Sequence, residues 1–302
     1  MRADRRTLLL GAGALALAAC SREVKSAESD LDADIEGTTG ILDLDLSDLE
    51  ARHGGRLGLA IASAGVNAAW RGDERFVYCS TFKMYLTAAT LLRVQAGQER
   101  LDRAIPISAA DMISHAPTTE PAVGSSLTVE QLMKATVELS DNPAANILIR
   151  EMGGLEALRA FYRGIGDDST RVDRLEPEMN RADGDKDTIT PIQSVQNISR
   201  LLVSPETPLN LASKALLMRW MTDTPTGQGR IKAGAPAGWA VAHKTGTGGY
   251  GPTNDIGLIQ PPTGAPVVIA VYFHATKDST DAQREAVIAD ATRLALKALG
   301  HG

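Results

Sequence analysis

Strand-like segments stand at both ends of this 302-residue chain, and a long helical stretch separates them. Extended patterning covers about Arg56 to Ser63 and Asn67 to Arg71, and returns at Trp239 to Thr245, Asp255 to Gln260 and Pro266 to His274. Between the two groups, from Ser80 to about Met218, the chain is mainly helical, and a helix from about Asp281 to Leu299 closes it. Pro261-Pro262-Thr263-Gly264 reads as the turn between the last two strands. Strands drawn from both ends can share a sheet only if the chain folds back on itself. The expected class is therefore α+β, an antiparallel sheet flanked by helices with a helical lobe. An apolar content of 43% without repeats suffices for one substantial core.

The first residues are of another kind. Arg5-Arg6 precede an apolar run from Leu8 to Ala19, too short for an ordinary bilayer span and suited to the core of a signal peptide over residues 1–19. Leu17-Ala18-Ala19-Cys20 resembles a bacterial lipobox, and Arg5-Arg6-Thr7-Leu8-Leu9-Leu10 resembles a twin-arginine export signal. The expectation is an exported protein carrying lipid on Cys20, held at the membrane in the periplasm or at the cell surface. Residues 20–43 are acidic and polar without apolar periodicity, as a flexible tether would be, and the domain proper is expected over 44–302. With Cys20 lipidated, Cys79 has no partner for a disulfide and is expected to be a small buried thiol. The net charge of −6 offers no basic surface for nucleic acid.

Three short motifs follow one another along the domain: Ser80-Thr81-Phe82-Lys83, Ser140-Asp141-Asn142 and Lys244-Thr245-Gly246. A serine hydroxyl is a poor nucleophile at neutral pH unless a base sits beside it. If Ser80 opens a helix running to about Gln95, Lys83 lies one turn away on the same face, within reach of the hydroxyl. The helix read over Thr128 to Leu139 starts with the capping box Thr128-Val129-Glu130-Gln131, and Pro143 suits the first position of the next helix. Ser140-Asp141-Asn142 would then be a tight connection presenting a hydroxyl and an amide, with Asn142 also able to serve as a plain N-cap. Lys244-Thr245-Gly246 ends a strand, where Gly246 and Gly248 would let a substrate approach the backbone closely. His53, His243, His274 and His301 show no metal-ligand spacing.

A fourth segment, Arg174-Leu175-Glu176-Pro177-Glu178-Met179-Asn180, completes a pattern that resembles the class A serine β-lactamases from about Leu44 to the C-terminus. The resemblance implies hydrolysis of the β-lactam amide of penicillin-type antibiotics through an acyl-serine, with no cofactor and no metal, by a monomer. Ser80 would be acylated, Lys83 and a water held by Glu176 and Asn180 would share the base work, and Ser140 would pass a proton to the lactam nitrogen. Lys244, Thr245 and Thr247 would hold the substrate carboxylate, Asn142 its acylamino group, and His115 would line the cleft mouth. The backbone N–H groups of Ser80 and Thr247 would form the oxyanion hole. Family members place an arginine near the carboxylate from more than one part of the chain. The strand position some use is Thr253 here, so Arg230 is the expected cation, with Arg284 second. Some carbapenem-hydrolysing members pair the cysteine before the nucleophile with one where this chain has Gly248. The stretch from Asn180 to Asp187 looks shorter than the family's usual loop, although a brace between Arg174 and Asp187 could survive. The competing expectation is a penicillin-binding protein that stays acylated, against which Glu176 and Asn180 argue.

Overall fold

The computed structural model describes residues 42–249, 251–276 and 278–301. The expected signal peptide, Cys20 and nearly all of the tether lie outside the described residues. Ten strands occur among them: β1 (Leu42–Asp43), β2 (Arg56–Ser63), β3 (Val66–Trp70), β4 (Phe76–Val77), β5 (Ala104–Pro106), β6 (Ser126–Thr128), β7 (Thr188–Ile189), β8 (Ala240–Thr247), β9 (Pro252–Gln260) and β10 (Val267–His274). Nine α-helices accompany them: α1 (Ser47–His53), α2 (Phe82–Gln95), α3 (Val129–Glu138), α4 (Asn142–Met152), α5 (Leu155–Gly164), α6 (Pro191–Ile198), α7 (Leu211–Asp223), α8 (Ile231–Gly234) and α9 (Asp281–Ala298).

Six strands form one sheet in the order β1-β3-β2-β10-β9-β8. All its neighbours are antiparallel except β1 and β3, which run parallel. Among the described residues the sheet thus starts at Leu42, two residues before the expected domain start. The fold belongs to the expected α+β class, with strands from both ends of the chain meeting at β2 and β10, paired from Arg56↔His274 to Ala62↔Val268.

Two cores explain why β10 is hydrophobic from Val267 to Phe273. Val267, Ile269, Val271 and Phe273 point to one side, where they meet Leu57, Leu59 and Ile61 of β2, Leu49 of α1 and Val287, Ile288, Ala291 and Ala295 of α9. Val268, Ala270 and Tyr272 point to the other side, into the larger core with α2, α3, α4 and α7. Burying one such aliphatic side chain contributes roughly 1.5–3 kcal/mol. Within the lobe, α2 is the central helix, its residues from Phe82 to Leu91 all buried. The capping box of α3 forms as read: the Thr128 side chain accepts from Gln131 N, and the Gln131 side chain accepts from Thr128 N. A short 3-10 turn, Cys79–Thr81, precedes α2, so Ser80 stands just before the helix and does not open it.

Candidate active site

The place of Ser80 is set by the last two strands of the sheet. Asn254 of β9 donates through Nδ2 to the carbonyls of Val77 (2.9 Å) and Tyr78 (3.1 Å), tying the turn before α2 onto the strand. Gly246 of β8 permits the contact: a Cβ there would lie 2.7 Å from Tyr78 O and 3.1 Å from Thr81 N. At Gly248 a Cβ would lie 2.2 Å from Asn180 O and 3.0 Å from Cys79 Sγ. The two glycines were expected to admit a substrate. It is the protein's own turn and loop that come this close. Cys79 is fully buried, as expected, and adopts a φ of 48°. Burial and the neighbouring Glu176 push its thiol well above the usual range.

Ser80 Oγ donates to Glu176 Oε1 at 3.1 Å and accepts from Lys83 Nζ at 3.0 Å. The lysine is fully buried, and five oxygens crowd its nitrogen: Ser80 Oγ, Ser140 O (2.7 Å), Ser140 Oγ (3.3 Å), Asn142 Oδ1 (2.5 Å) and Glu176 Oε1 (3.0 Å). Three of the five, Ser140 O, Asn142 Oδ1 and Glu176 Oε1, can only accept, whereas the two hydroxyls can also donate. Burial pushes Lys83 below the ordinary lysine value, with Glu176 opposing the shift.

Ser140 sits between two lysines, its Oγ accepting from Lys83 Nζ at 3.3 Å and from Lys244 Nζ at 3.1 Å. It lies on the turn between α3 and α4 with φ at 58°. Asp141, not Asn142, caps α4: its carboxylate accepts from Ala144 N (2.9 Å), Thr118 N (2.9 Å), Thr119 N (3.0 Å) and Thr119 Oγ1 (2.9 Å). Asn142 is thereby free to bond Lys83 through Oδ1 and the Ser114 carbonyl through Nδ2 at 2.8 Å. His115 follows on the exposed rim at φ 62°, its Nε2 2.8 Å from Leu139 O and its carbonyl accepting from Asn142 N at 3.0 Å. Three residues other than glycine in the left-handed region (Cys79, His115 and Ser140) therefore border one cleft, where local strain serves side-chain placement.

The loop carrying Glu176 is clamped from α4. Asn146 Oδ1 accepts from Glu176 N at 3.0 Å and Asn146 Nδ2 donates to Glu176 O at 2.9 Å. Asn180 Nδ2 donates to Glu176 Oε2, and Asn180 Oδ1 is buried without a partner among the described residues. Arg174 and Asp187 form the brace, Nε to Oδ2, and Asp187 Oδ1 also accepts from Asp173 N (2.7 Å) and Arg174 N (3.0 Å).

At the other end of the cleft Lys244 is fully buried and meets only Ser140 Oγ and Thr245 O (2.9 Å) among the described residues. An ammonium there keeps one donor for an incoming anion. Burial and Lys83 push its amine well down. Thr245 Oγ1 lies 2.9 Å from Thr226 Oγ1, and Arg230 Nη2 donates to Thr247 Oγ1 at 2.8 Å. Arg230 is held further by Glu285 (3.1 Å), Asn254 O (2.9 Å) and Gly246 O (3.2 Å). Arg284 is not part of this site: it bonds Ser279 and Asp281 at the start of α9.

The profile of the β-lactamase enzyme family matches residues 42–299. The β-lactamase OXY-2 of Klebsiella oxytoca is 40% identical over 259 residues, 84% of this chain and 88% of that enzyme. The chain belongs to the β-lactamase enzyme family. Among solved structures, an ancestral class A β-lactamase is 48% identical, with a TM-score of 0.79 over 84% of this chain and 98% of that one. A β-lactamase from Xanthomonas campestris is 40% identical at a TM-score of 0.80, over 84% of this chain and 95% of that one.

Several residues of this class A β-lactamase site were not anticipated from sequence. Asn146 had a local signal, standing one helical turn after Asn142 on α4. Thr226, Asn254 and Asp255 had none, because each acts on residues far away in the chain.

Proposed function

We propose that this β-lactamase hydrolyses the β-lactam amide of penicillin-type antibiotics, conferring resistance, with Ser80 as the nucleophile. The observation that carries the reading is the placement of Ser80 Oγ about equally far from two bases, 3.0 Å from Lys83 Nζ and 3.1 Å from Glu176 Oε1. As Ser80 Oγ bonds to the lactam carbonyl carbon, its proton passes to one of these bases. The oxyanion that forms takes the Ser80 and Thr247 N–H groups, each such donor worth roughly two to three powers of ten. Ser140, bridging Lys83 and Lys244, delivers a proton to the lactam nitrogen as the C–N bond breaks. The product of this half-reaction is an acyl-Ser80 ester.

Its resolution requires water on the carbonyl. Glu176 Oε1 and the unpartnered Asn180 Oδ1 are the acceptors that hold this water, and Glu176 takes its proton as the oxygen attacks. Ser80 leaves with a proton, and the opened acid departs. Thr245, Thr247, Lys244 and Arg230 receive the substrate carboxylate, Asn142 the acylamino group, and His115 walls the mouth. Glu176→Gln should therefore acylate but release product roughly two to four powers of ten more slowly. Intact mass after incubation with a penicillin should show one added drug mass on the variant, mapping to the Ser80 peptide, and the free mass on the wild type. A wild-type adduct that lasts for hours would mean a penicillin-binding protein.

For location, we propose export by the Arg5-Arg6 signal and anchoring of a monomer through lipid on Cys20, on the support of the lipobox-like Leu17 to Cys20 alone. Cys20→Ala should release the enzyme from membranes in fractionation. Equal retention of the variant would remove the proposal.

A further inference from the structure

The chemistry above leaves one buried histidine–carboxylate pair without a task. His243 and Asp255 are 1% and 0% exposed, so neither touches solvent. His243, Thr245 and Thr247 share one face of β8, with Asp255 opposite Thr245 in register on β9. The segment from Thr224 to Ile231 covers that face. A Cβ on Gly227 would stand 2.3 Å from Thr245 Cγ2 and 3.3 Å from His243 Cε1, so the loop lies directly on the strand. Asp255 Oδ2 accepts from Ile231 N at 3.1 Å, the first N–H of α8 and the residue after Arg230. His243 Nδ1 lies 2.9 Å from Oδ2 and 3.0 Å from Oδ1, and because a carboxylate only accepts, Nδ1 is the donor.

Resting on the hydrolase reading, we infer that the His243–Asp255 pair is a positioning unit for recognition of the substrate carboxylate. Asp255 holds the backbone beside Arg230, and His243 holds Asp255. Arg230 Nη2 reaches Thr247 from that backbone position, and the same guanidinium also bonds Gly246 O, Asn254 O and Glu285. The charge acts in the same sense. Burial and Lys83 drive Lys244 down, and Asp255 is the foremost group opposing them. A pair serving only the fold would affect every substrate alike. One serving the carboxylate site discriminates between a penicillin and its carboxyl ester.

The test compares kcat and KM for a penicillin and for its methyl ester in the wild type, His243→Ala, His243→Asn and Asp255→Asn, each checked for folding by circular dichroism. In His243→Ala the ratio of kcat/KM for acid to that for ester should fall about tenfold, through KM for the acid. His243→Asn, whose amide nitrogen can replace Nδ1 as donor to Asp255, should recover most of the loss. Asp255→Asn should show the largest fall, and if it does not fold the two His243 variants decide alone. An unchanged ratio in His243→Ala, or equal losses on both substrates, overturns the inference. A wild type that hydrolyses neither compound overturns the hydrolase reading itself, a different result.

Discussion

Two strands of one sheet, β10 at its centre and β8 at its edge, follow opposite rules. From Val267 to Phe273 every side chain of β10 is buried, and apart from the Tyr272 hydroxyl, which bonds Ser194, all are apolar. β8 buries His243, Lys244 and Thr245 within the same depth of protein. An uncompensated buried ammonium is among the least favourable groups a fold can hold, whereas each buried aliphatic chain adds roughly 1.5–3 kcal/mol. Of the six residues other than glycine with left-handed φ among the described residues, Cys79, Ser140 and His115 lie on the unfavourable side as well. The contrast teaches that the centre supplies stability which the edge spends on a reactive arrangement, so a substitution in one place should leave the property of the other almost untouched.

The widest separation should come from Ser80→Ala. Losing the proposed nucleophile should lower kcat by roughly four to six powers of ten in nitrocefin turnover. The melting temperature should stay within a few degrees, because only two side-chain hydrogen bonds of the hydroxyl are lost. Retained turnover would remove Ser80 from the chemistry. The converse experiment is Ile269→Ala at the centre of β10, where a fully buried side chain gives way to a cavity. It should cost about 2–5 kcal/mol in denaturant unfolding, with kcat/KM of the folded enzyme within about twofold of wild type. A large kinetic loss there would show that centre and edge are mechanically coupled and that the division is too sharp.

The same contrast decides what could be read from sequence. β2, β10 and α9 match their expected spans to within a residue, because apolar pattern and burial coincide in them. Local motifs were legible too: Ser80, Lys83, Ser140, Glu176, Asn180 and Lys244 all meet in the cleft through hydrogen bonds and ion contacts. Illegible were the features set by long-range partners. Asp141 and Asn142 are about equally good N-caps by propensity, and the choice falls to Asp141 because Thr118 and Thr119 bring three more donors to its carboxylate. The 3-10 turn at Ser80 follows from the left-handed Cys79 and the bonds from Asn254, neither of which leaves a mark in residues 80–83. Leu42 and Asp43 pair with β3 although their neighbours before them read as tether.

The smallest and most pointed test lies where the edge holds its own charge. Arg230 is 7% exposed, and its guanidinium both ties β8 to β9 and presents Nη2 beside Thr247. If its main work is the substrate carboxylate, Arg230→Ala should raise KM for a penicillin about ten- to a hundredfold, the worth of one or two charge-assisted hydrogen bonds, while acylation at saturating drug changes far less. If its main work is bracing the strands, KM should hold and the melting temperature should fall instead. Arg284→Ala is the matched control: the same charge is removed at the start of α9, where its partners are Ser279 and Asp281, and hydrolysis should not change. Equal kinetic effects from the two arginines would mean that general positive potential draws the substrate in and that no single guanidinium is placed to receive it.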